Sequence, residues 1–342
     1  MQLHGTFKLE MTPTLVDIAR ETHTSVSTVS RVLSGGAMAN RISKETRDRV
    51  REVADRMGYR PNLLARSLRT RKTYTVALLV SDIANPFFGQ LGSLIERSLA
   101  QHGYSLMLCN SAEDLEKESD YLRMVAAKGI DGLIVVPLAS SKEQMLESLP
   151  ATLPLVILDR PIAGIPSSVA SDQDQIANIL CDVLDRGGVR QIALLCGPQH
   201  VITHRRRCEI LSQRFEVLSR YEGAAQKATG RAAFRQFTEV LPRVQAIVCT
   251  NNFLAQGVVE SLGQIERPPI VGVFDEIPMM DLLRVPIVCA MQDIPALAEG
   301  CVAQILKLLD GNQTVTPILL PAKVVTNKAF EVELFGRDEP IL

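Results

Sequence analysis

Several signatures are missing from this sequence. The seven cysteines form no C-x-x-C pair, and none has a histidine at a zinc-finger interval, which excludes the common structural zinc modules. The five histidines show no metal-ligand spacing, and there is no P-loop, G-x-S-x-G elbow or H-E-x-x-H helix. An enzyme reading therefore lacks its constellation, and no metal or cofactor is called for. No run reaches the roughly 18 apolar residues that a membrane helix needs. The opening "MQLHGTFKLE" lacks the apolar core of a secretory signal. Cysteines scattered singly in apolar runs such as "IALLC" and "AIVC" suit buried thiols in a reducing cytosol, so the expected location is cytoplasmic. No internal repeat or low-complexity segment stands out.

What is present divides unevenly. At 342 residues and 46% apolar, the chain can build two or three units with sizeable cores. Residues 1–72 carry 14 Lys+Arg against 7 Asp+Glu, a net of +7, whereas the remainder carries 23 against 31, a net of −8. A basic head on an acidic body points to a polyanion partner for the head alone. Residues 14–59 read as short helices: "TLVDIARETH" puts Leu15, Ile18 and Ala19 on one face. "SKETRDRVREVADRMGY" has Ser43 as N-cap, Val50, Val53, Ala54 and Met57 on one stripe, and a stop at Gly58. From Tyr74 the pattern changes to strand, loop, helix, repeated. The strands "YTVALLV", "YSLMLC", "GLIVV", "LVIL", "QIALLC", "AIVCT" and "IVGVF" are apolar on both faces, with helical segments at 89–102, 113–128, 173–187 and 251–263. This alternation predicts an α/β body of two doubly wound parallel-sheet subdomains behind an all-α head. Ligands in such folds bind beyond the carboxyl ends of the strands.

The head carries the most informative stretch. "LVDIARETHTSVSTVSRVL" describes two short helices joined by a tight turn, a helix-turn-helix. Ala19 lets the helices approach. Val29 and Leu33 are read as the inward face of the second helix, leaving Val26, Ser27, Thr28, Ser30 and Arg31 for its outward face and edges. Thr28 and Ser30 are short donors suited to phosphates, and Arg31 can fork onto a guanine edge. A helical hairpin with a Ser/Thr-rich surface would show similar spacing, but the basic charge of the head favours DNA. Next, "RPNLLARSLRTRK" sets Leu63, Leu64 and Leu68 inside a strongly basic run.

"TLVDIARETHTSVSTVSRVLSGG" followed by "RISKETRDRVREVADRMGYRPNLLARSLRT" resembles the headpiece of the lactose–galactose repressor family of bacterial transcription factors. The likeness continues through "VALLVSDIANPFF", "KGIDGLIVVP", "VILDRP", "RQIALLCGP", "CTNNFLAQGVVE" and "VFDEIP". It implies an N-terminal extension at 1–13, a DNA-binding headpiece at 14–60, a hinge at 61–72, a two-lobed effector-binding and dimerisation domain at 73–330, and a tail at 331–342. It also implies that the hinge forms a short helix on DNA. Leu68 would then wedge between base pairs in the minor groove, and Arg66 and Arg69 would hold flanking phosphates.

The body further resembles periplasmic sugar-binding proteins. Carried over position by position, this implies effector contacts from Phe87, Phe88, Asp159, Arg160, Thr203, Arg205, Arg207, Asn251 and Asp275. The pattern looks closest to the fructose and sucrose repressor branch, which implies a sugar or sugar phosphate as effector. A purine or nucleoside effector, or a sugar receptor without regulation, are the alternatives. The implied partners are double-stranded palindromic operator DNA and a second copy of the chain. The tail "EVELFGRDEPIL" shows no leucine heptads, so a homodimer is expected. Two departures are visible. His23 stands where the family usually has Gly, beside Thr24 at an apolar position, and "CEIL" follows Arg207 where Gly-Phe is common.

Overall fold

Thr14 opens the first helix with a capping box: its backbone and hydroxyl engage the Asp17 carboxylate, and its hydroxyl oxygen accepts from the Asp17 N–H. The computed structural model describes residues 13–34, 39–60, 72–263, 265–312 and 314–335. Its contacts divide the chain into two units, residues 1–72 and 73–342. In the first unit, α1 (Leu15–Glu21), α2 (Val26–Ser34) and α3 (Lys44–Arg56) enclose a core of Ile18, Ala19, Val29, Val32, Val50, Val53 and Ala54. Ser43 caps α3, and Gly58 after it adopts a φ of +65°. His23 occupies the turn at φ +52°, the left-handed conformation that Gly usually supplies. Thr24 is accommodated by a 2.9 Å hydrogen bond with the buried Thr22 hydroxyl. One inward position differs from the reading above. Val32, not Leu33, is buried beside Val29, and Leu33 is half-buried at the edge of the core. Both lie on the same side of α2 and pack against the one core that the three helices share.

The second unit contains two six-stranded sheets. The first runs β11 (Ile318–Leu320), β5 (Ser168–Ser171), β4 (Leu155–Leu158), β3 (Gly132–Val135), β1 (Thr75–Val80), β2 (Ser105–Asn110), all parallel. The second runs β12 (Ala322–Thr326), β10 (Ile287–Gln292), β9 (Ile270–Phe274), β8 (Ala246–Cys249), β6 (Gln191–Cys196), β7 (Glu216–Glu222), with β12 alone antiparallel to its neighbour. Alternate residues of each central strand feed opposite faces. Val76, Leu78 and Val80 face α4 (Pro86–Gln101) and α11 (Ile294–Leu309), whereas Ala77 and Leu79 face α5 (Leu115–Lys128) and α6 (Lys142–Leu146). In the second lobe α7 (Gln173–Arg186), α8 (Ile202–Arg214) and α12 (Lys328–Phe335) cover one face, and α9 (Lys227–Phe237) and α10 (Asn252–Leu262) the other.

The lobes are not consecutive in sequence. After β10 the chain returns to the first lobe, where α11 buries Leu297, Cys301 and Ile305 against the first sheet. It then crosses back between β11 and β12. The boundary expected at 330 falls inside α12, whose Phe330 is fully buried in the second lobe. The cysteine expectation also needs correction: Cys196 at the end of β6 and Cys208 on α8 form a disulfide. The α8 crossover folds back over its own strand and so brings together two cysteines 12 positions apart, beyond any short cysteine motif. Cys109, Cys181, Cys249, Cys289 and Cys301 are buried thiols, and burial pushes them up, Cys181 and Cys289 to about 12. No helix among the described residues is long and apolar enough to cross a membrane.

Candidate functional site

Two surfaces emerge, one in each unit. On α2, Val26, Ser27 and Arg31 are exposed and Ser30 is half-exposed, whereas Val29 and Val32 are buried. Ser25 accepts from the Thr28 N–H at 3.1 Å and so caps the helix, and its hydroxyl also pairs with that of Thr28 at 2.9 Å. Thr28 thus helps to hold the first turn of α2. Arg66, Leu68 and Arg69 lie outside the described residues.

The second surface lies where the strand ends of the two lobes face each other. Asp159 follows β4 and Asp275 follows β9, which hold the same place in their sheets. Both adopt left-handed backbone, at φ +66° and +67°, as do Ala112 and Glu113 after β2. Such conformations cost about 1–3 kcal/mol each, and at the rim of a cleft they fix where a side chain points. From the second lobe, α8 contributes Thr203, His204 and Arg207, and Asn251 caps the start of α10 with its side chain. Phe87 and Phe88 at the start of α4 pack edge to face at 4.9 Å. Asn85 caps α4 and accepts from the Asn252 side chain at 3.0 Å, a hydrogen bond from one lobe to the other.

Two buried arginines organise this cleft. Arg207 donates to the Gln173 side chain (3.0 Å) and the Thr250 carbonyl (2.8 Å), and its guanidinium lies 4.3 Å from the centre of the Phe274 ring. Arg160 donates to Glu113 (3.0 Å), the Ser81 hydroxyl (3.3 Å) and the Pro137 carbonyl (3.4 Å). Burial raises the carboxyls of Asp159 and Asp275, opposed by Arg160 and Arg207 for the first and by Arg207 and a Gln292 hydrogen bond for the second. Three carboxylates against two guanidiniums leave a formal charge of −1. Five buried polar atoms here lack a hydrogen-bond partner: Glu113 Oε2, Asp159 Oδ1, Arg160 Nε, Asn252 Oδ1 and Gln292 Oε1. Four are acceptors, so the cleft is built to receive donors.

His204 was not among the residues singled out by sequence. It is buried, its Nδ1 lies 2.8 Å from the Thr250 hydroxyl, and burial followed by the charge of Arg207 holds it well below the ordinary imidazole value of 6.5. Gly197 makes room for it, since a Cβ there would sit 2.5 Å from the ring. The neutral form is the folded one. Below pH 6.5 the unfolded imidazole takes up a proton that the folded one refuses, so this contribution holds above that pH and is lost as pH falls. Between pH 7 and 5.5 wild type should lose about 1 kcal/mol more than His204→Gln. Urea unfolding at both pH values measures the difference, and equal losses would show that His204 is charged when folded.

Residues 14–62 match the family model "Bacterial regulatory proteins, lacI family", and residues 73–281 match "Periplasmic binding proteins and sugar binding domain of LacI family". The chain belongs to the LacI family. Among LacI-family relatives, the ribose operon repressor of Bacillus subtilis (strain 168) is 32% identical over 80% of this chain and 85% of its own length. The sucrose operon repressor of Pediococcus pentosaceus is 35% identical over 56% of each chain. In fold, the chain resembles the lac repressor dimer bound to operator and the anti-inducer ONPF, with a TM-score of 0.81 at 21% identity over 93% of this chain and 99% of that one. It also resembles the Cra regulator of Pseudomonas putida in complex with fructose 1-phosphate, with a TM-score of 0.67 at 21% identity over 74% and 98%.

Within the LacI-family body, the structure gathers eight of the nine expected effector residues around one cleft: Phe87, Phe88, Asp159, Arg160, Thr203, Arg207, Asn251 and Asp275. Arg205 is the exception. It points from the exposed side of α8 into an outer pocket, because two positions along a helix turn a side chain about 200° away from Arg207. Asn85, Glu113, His204 and Gln292 complete the cleft lining and were missed. Asn85 and Glu113 sit in loops, and Gln292 ends a strand that the sequence reading did not list. His204 had only a weak signal: it lies with Thr203, Arg207, Cys208 and Leu211 on the buried side of α8, at helical spacing.

Proposed function

We propose that this chain is a transcriptional repressor that binds palindromic operator DNA as a homodimer in the cytoplasm, its operator affinity set by a sugar bound between the two lobes. The cluster of unpartnered acceptors around Asp159, Glu113, Asn252 and Gln292 carries the effector part. Acceptors in a site of formal charge −1 suit a ligand that presents several hydroxyl donors and no charge at that end. Phe87 and Phe88 offer ring faces to its apolar edge. The inner cleft holds about 40 Å³ of free space and adjoins a further space of about 160 Å³ lined by Phe87, Asn252, Asp275 and Gln292. The names of the ribose and sucrose repressors accord with a sugar rather than a purine. Binding without turnover is the role of such a site.

The screen that tests this titrates full-length protein on its operator with ribose, fructose, sucrose and a purine base. A sugar should change operator affinity and be recovered chemically intact. A response to the purine alone, or conversion of the sugar, would overturn the reading. For DNA, Val26, Ser27 and Arg31 are assigned to the major groove. Arg31→Ala is expected to cost about 1–3 kcal/mol on operator and to relax the preference at one symmetric base pair. Equal weakening on operator and random DNA would make Arg31 a phosphate contact only.

A further inference from the structure

Two neighbouring strands of the first lobe are tied at both ends. β1 and β3 pair in parallel, from Val76 beside Gly132 to Leu79 beside Val135. At their carboxyl ends the tie is Arg160. It donates to the Ser81 hydroxyl (3.3 Å), just beyond β1, and to the Pro137 carbonyl (3.4 Å), just beyond β3. Arg160 lines the inner cleft, so this end of the ladder belongs to the effector site. At the amino ends the tie is Asp131, the residue before β3. One of its carboxylate oxygens accepts from the Thr73 N–H (2.7 Å) and hydroxyl (2.9 Å), and the other from the Tyr74 N–H (2.8 Å). Its own N–H donates to the Thr75 carbonyl at 3.0 Å. One residue thus engages residues 73, 74 and 75 in succession.

Thr73 is the first residue of the second unit, and the chain of the basic head arrives there through Lys72. The junction is a fixed point. The three bonds to the carboxylate are charge-assisted. Tyr74 adopts a φ of +53°, a left-handed conformation that persists in a tyrosine only where its surroundings enforce it. Its carbonyl accepts from the Ser105 N–H at 2.8 Å, and its ring lies 5.9 Å from that of Tyr104, so the same residue is also tied to the start of β2. Between the two ties, Val76 to Val80 and Gly132 to Val135 are buried throughout. A strand pair packed on both faces is displaced as a body, because close-packed interiors transmit strain. Six residues of β1, at about 3.3 Å each, carry it about 20 Å.

We propose that Asp131 is the positioning residue that delivers a change at the cleft to the DNA-binding head. This rests on the reading of an effector-controlled repressor given above. A sugar that engages Arg160 shifts the carboxyl ends of β1 and β3. The ladder carries the displacement, and the Asp131 clamp imposes it on Thr73 and so on the chain that leads to the head. Without the clamp, rotation about the Thr73 and Tyr74 backbone absorbs the displacement, and cleft and head act independently. Asp131 itself does not line the inner cleft, so its loss should leave sugar binding in place.

The experiment uses the full-length protein and a palindromic duplex selected by wild type from random sequence. Fluorescence anisotropy gives the ratio of operator affinities with and without ribose, fructose or sucrose, and calorimetry gives the sugar affinity of the free protein. Asp131→Asn keeps the size of the side chain but turns a donor toward a backbone N–H. It should bind the sugar within about twofold of wild type, while the ratio, about 5- to 150-fold for a coupling of ordinary size, shrinks to about twofold or less. Thr73→Val removes one donor only and should reduce the ratio in part, and it carries the test if Asp131→Asn does not fold. A wild-type ratio in the folded variant, or a sugar affinity that falls as far as the ratio does, overturns the clamp. Should no sugar alter operator affinity in wild type, the sugar reading falls, and the clamp is decided without ligand. Operator affinities of Arg160→Lys, Asp131→Asn and the double variant form a cycle across the ladder. Sites this far apart ordinarily act independently, so a double variant no weaker than its weaker parent supports transmission, and losses that multiply overturn it.

Discussion

Arg207→Ala is expected to abolish the effector response and to destabilise the body by about 3–5 kcal/mol, while operator binding without effector survives. The stability loss follows from burial. Arg207 is 3% exposed and faces Asp159 and Asp275, whose charged forms it favours. Removing one partner from a buried charge cluster leaves the others uncompensated. In the variant both carboxyls rise further. Groups raised on folding stabilise the fold while protonated and lose that contribution as pH climbs, so Arg207→Ala should recover part of its deficit on acidification. Thermal melts at pH 7.5 and 5.5 measure this. The functional loss follows from linkage: an effector alters DNA affinity only by binding one lobe arrangement better than another. A coupling of about 1–3 kcal/mol corresponds to a change of roughly 5- to 150-fold in operator affinity. Gel shifts with and without sugar give the ratio. A ratio near one for the folded variant is the expected result, and a wild-type response at the wild-type sugar concentration would show that the effector sits elsewhere.

Gly257→Ala should destabilise the second lobe by about 3 kcal/mol, although helix propensity alone predicts a gain of about 1 kcal/mol for Ala over Gly. The clash decides the sign. A Cβ on Gly257 would lie 2.1 Å from the Lys227 carbonyl oxygen and 2.9 Å from the Gly230 Cα. One on Gly230 would lie 2.2 Å from the Leu254 carbonyl oxygen. These are backbone atoms of α9 and α10 in mutual contact, so no rotamer change relieves them, and the helices must separate. Because α10 carries Asn251 and Asn252 into the cleft, sugar affinity should fall as well. Gly89→Ala is the control. It also lies inside a helix, α4, but its nearest neighbour is 3.9 Å away, so the propensity gain should appear. Urea unfolding of both variants measures the two signs. Equal stability of Gly257→Ala and wild type would mean that α9 and α10 pack less closely than described.

The local elements were legible in the residues because they depend on neighbours along the chain. Ser43 caps α3 and Gly58 follows its end as expected, since a cap needs only its own helix turn. The seven strands from "YTVALLV" to "IVGVF" all form, and the central ones are apolar at every position because helices cover both of their faces. Tertiary structure decided what depends on partners remote in sequence. Val32 is fully buried in the head's core while Leu33 packs at its edge, and α11 returns to the first lobe to cover a sheet left about 120 residues earlier. Cys196 meets Cys208 because α8 folds back on β6. No repeat was visible in the sequence, yet both lobes share one strand order and place Asp159 and Asp275 at matching left-handed positions. Backbone geometry can repeat where residue identity does not, since the sheet demands apolar residues of almost any kind but only one turn at that strand end. The adjacent arginines 205, 206 and 207 read alike in sequence. The helix sends the first to the outer pocket, the second to Asp174 and the third into the cleft, because each residue turns about 100° from the last.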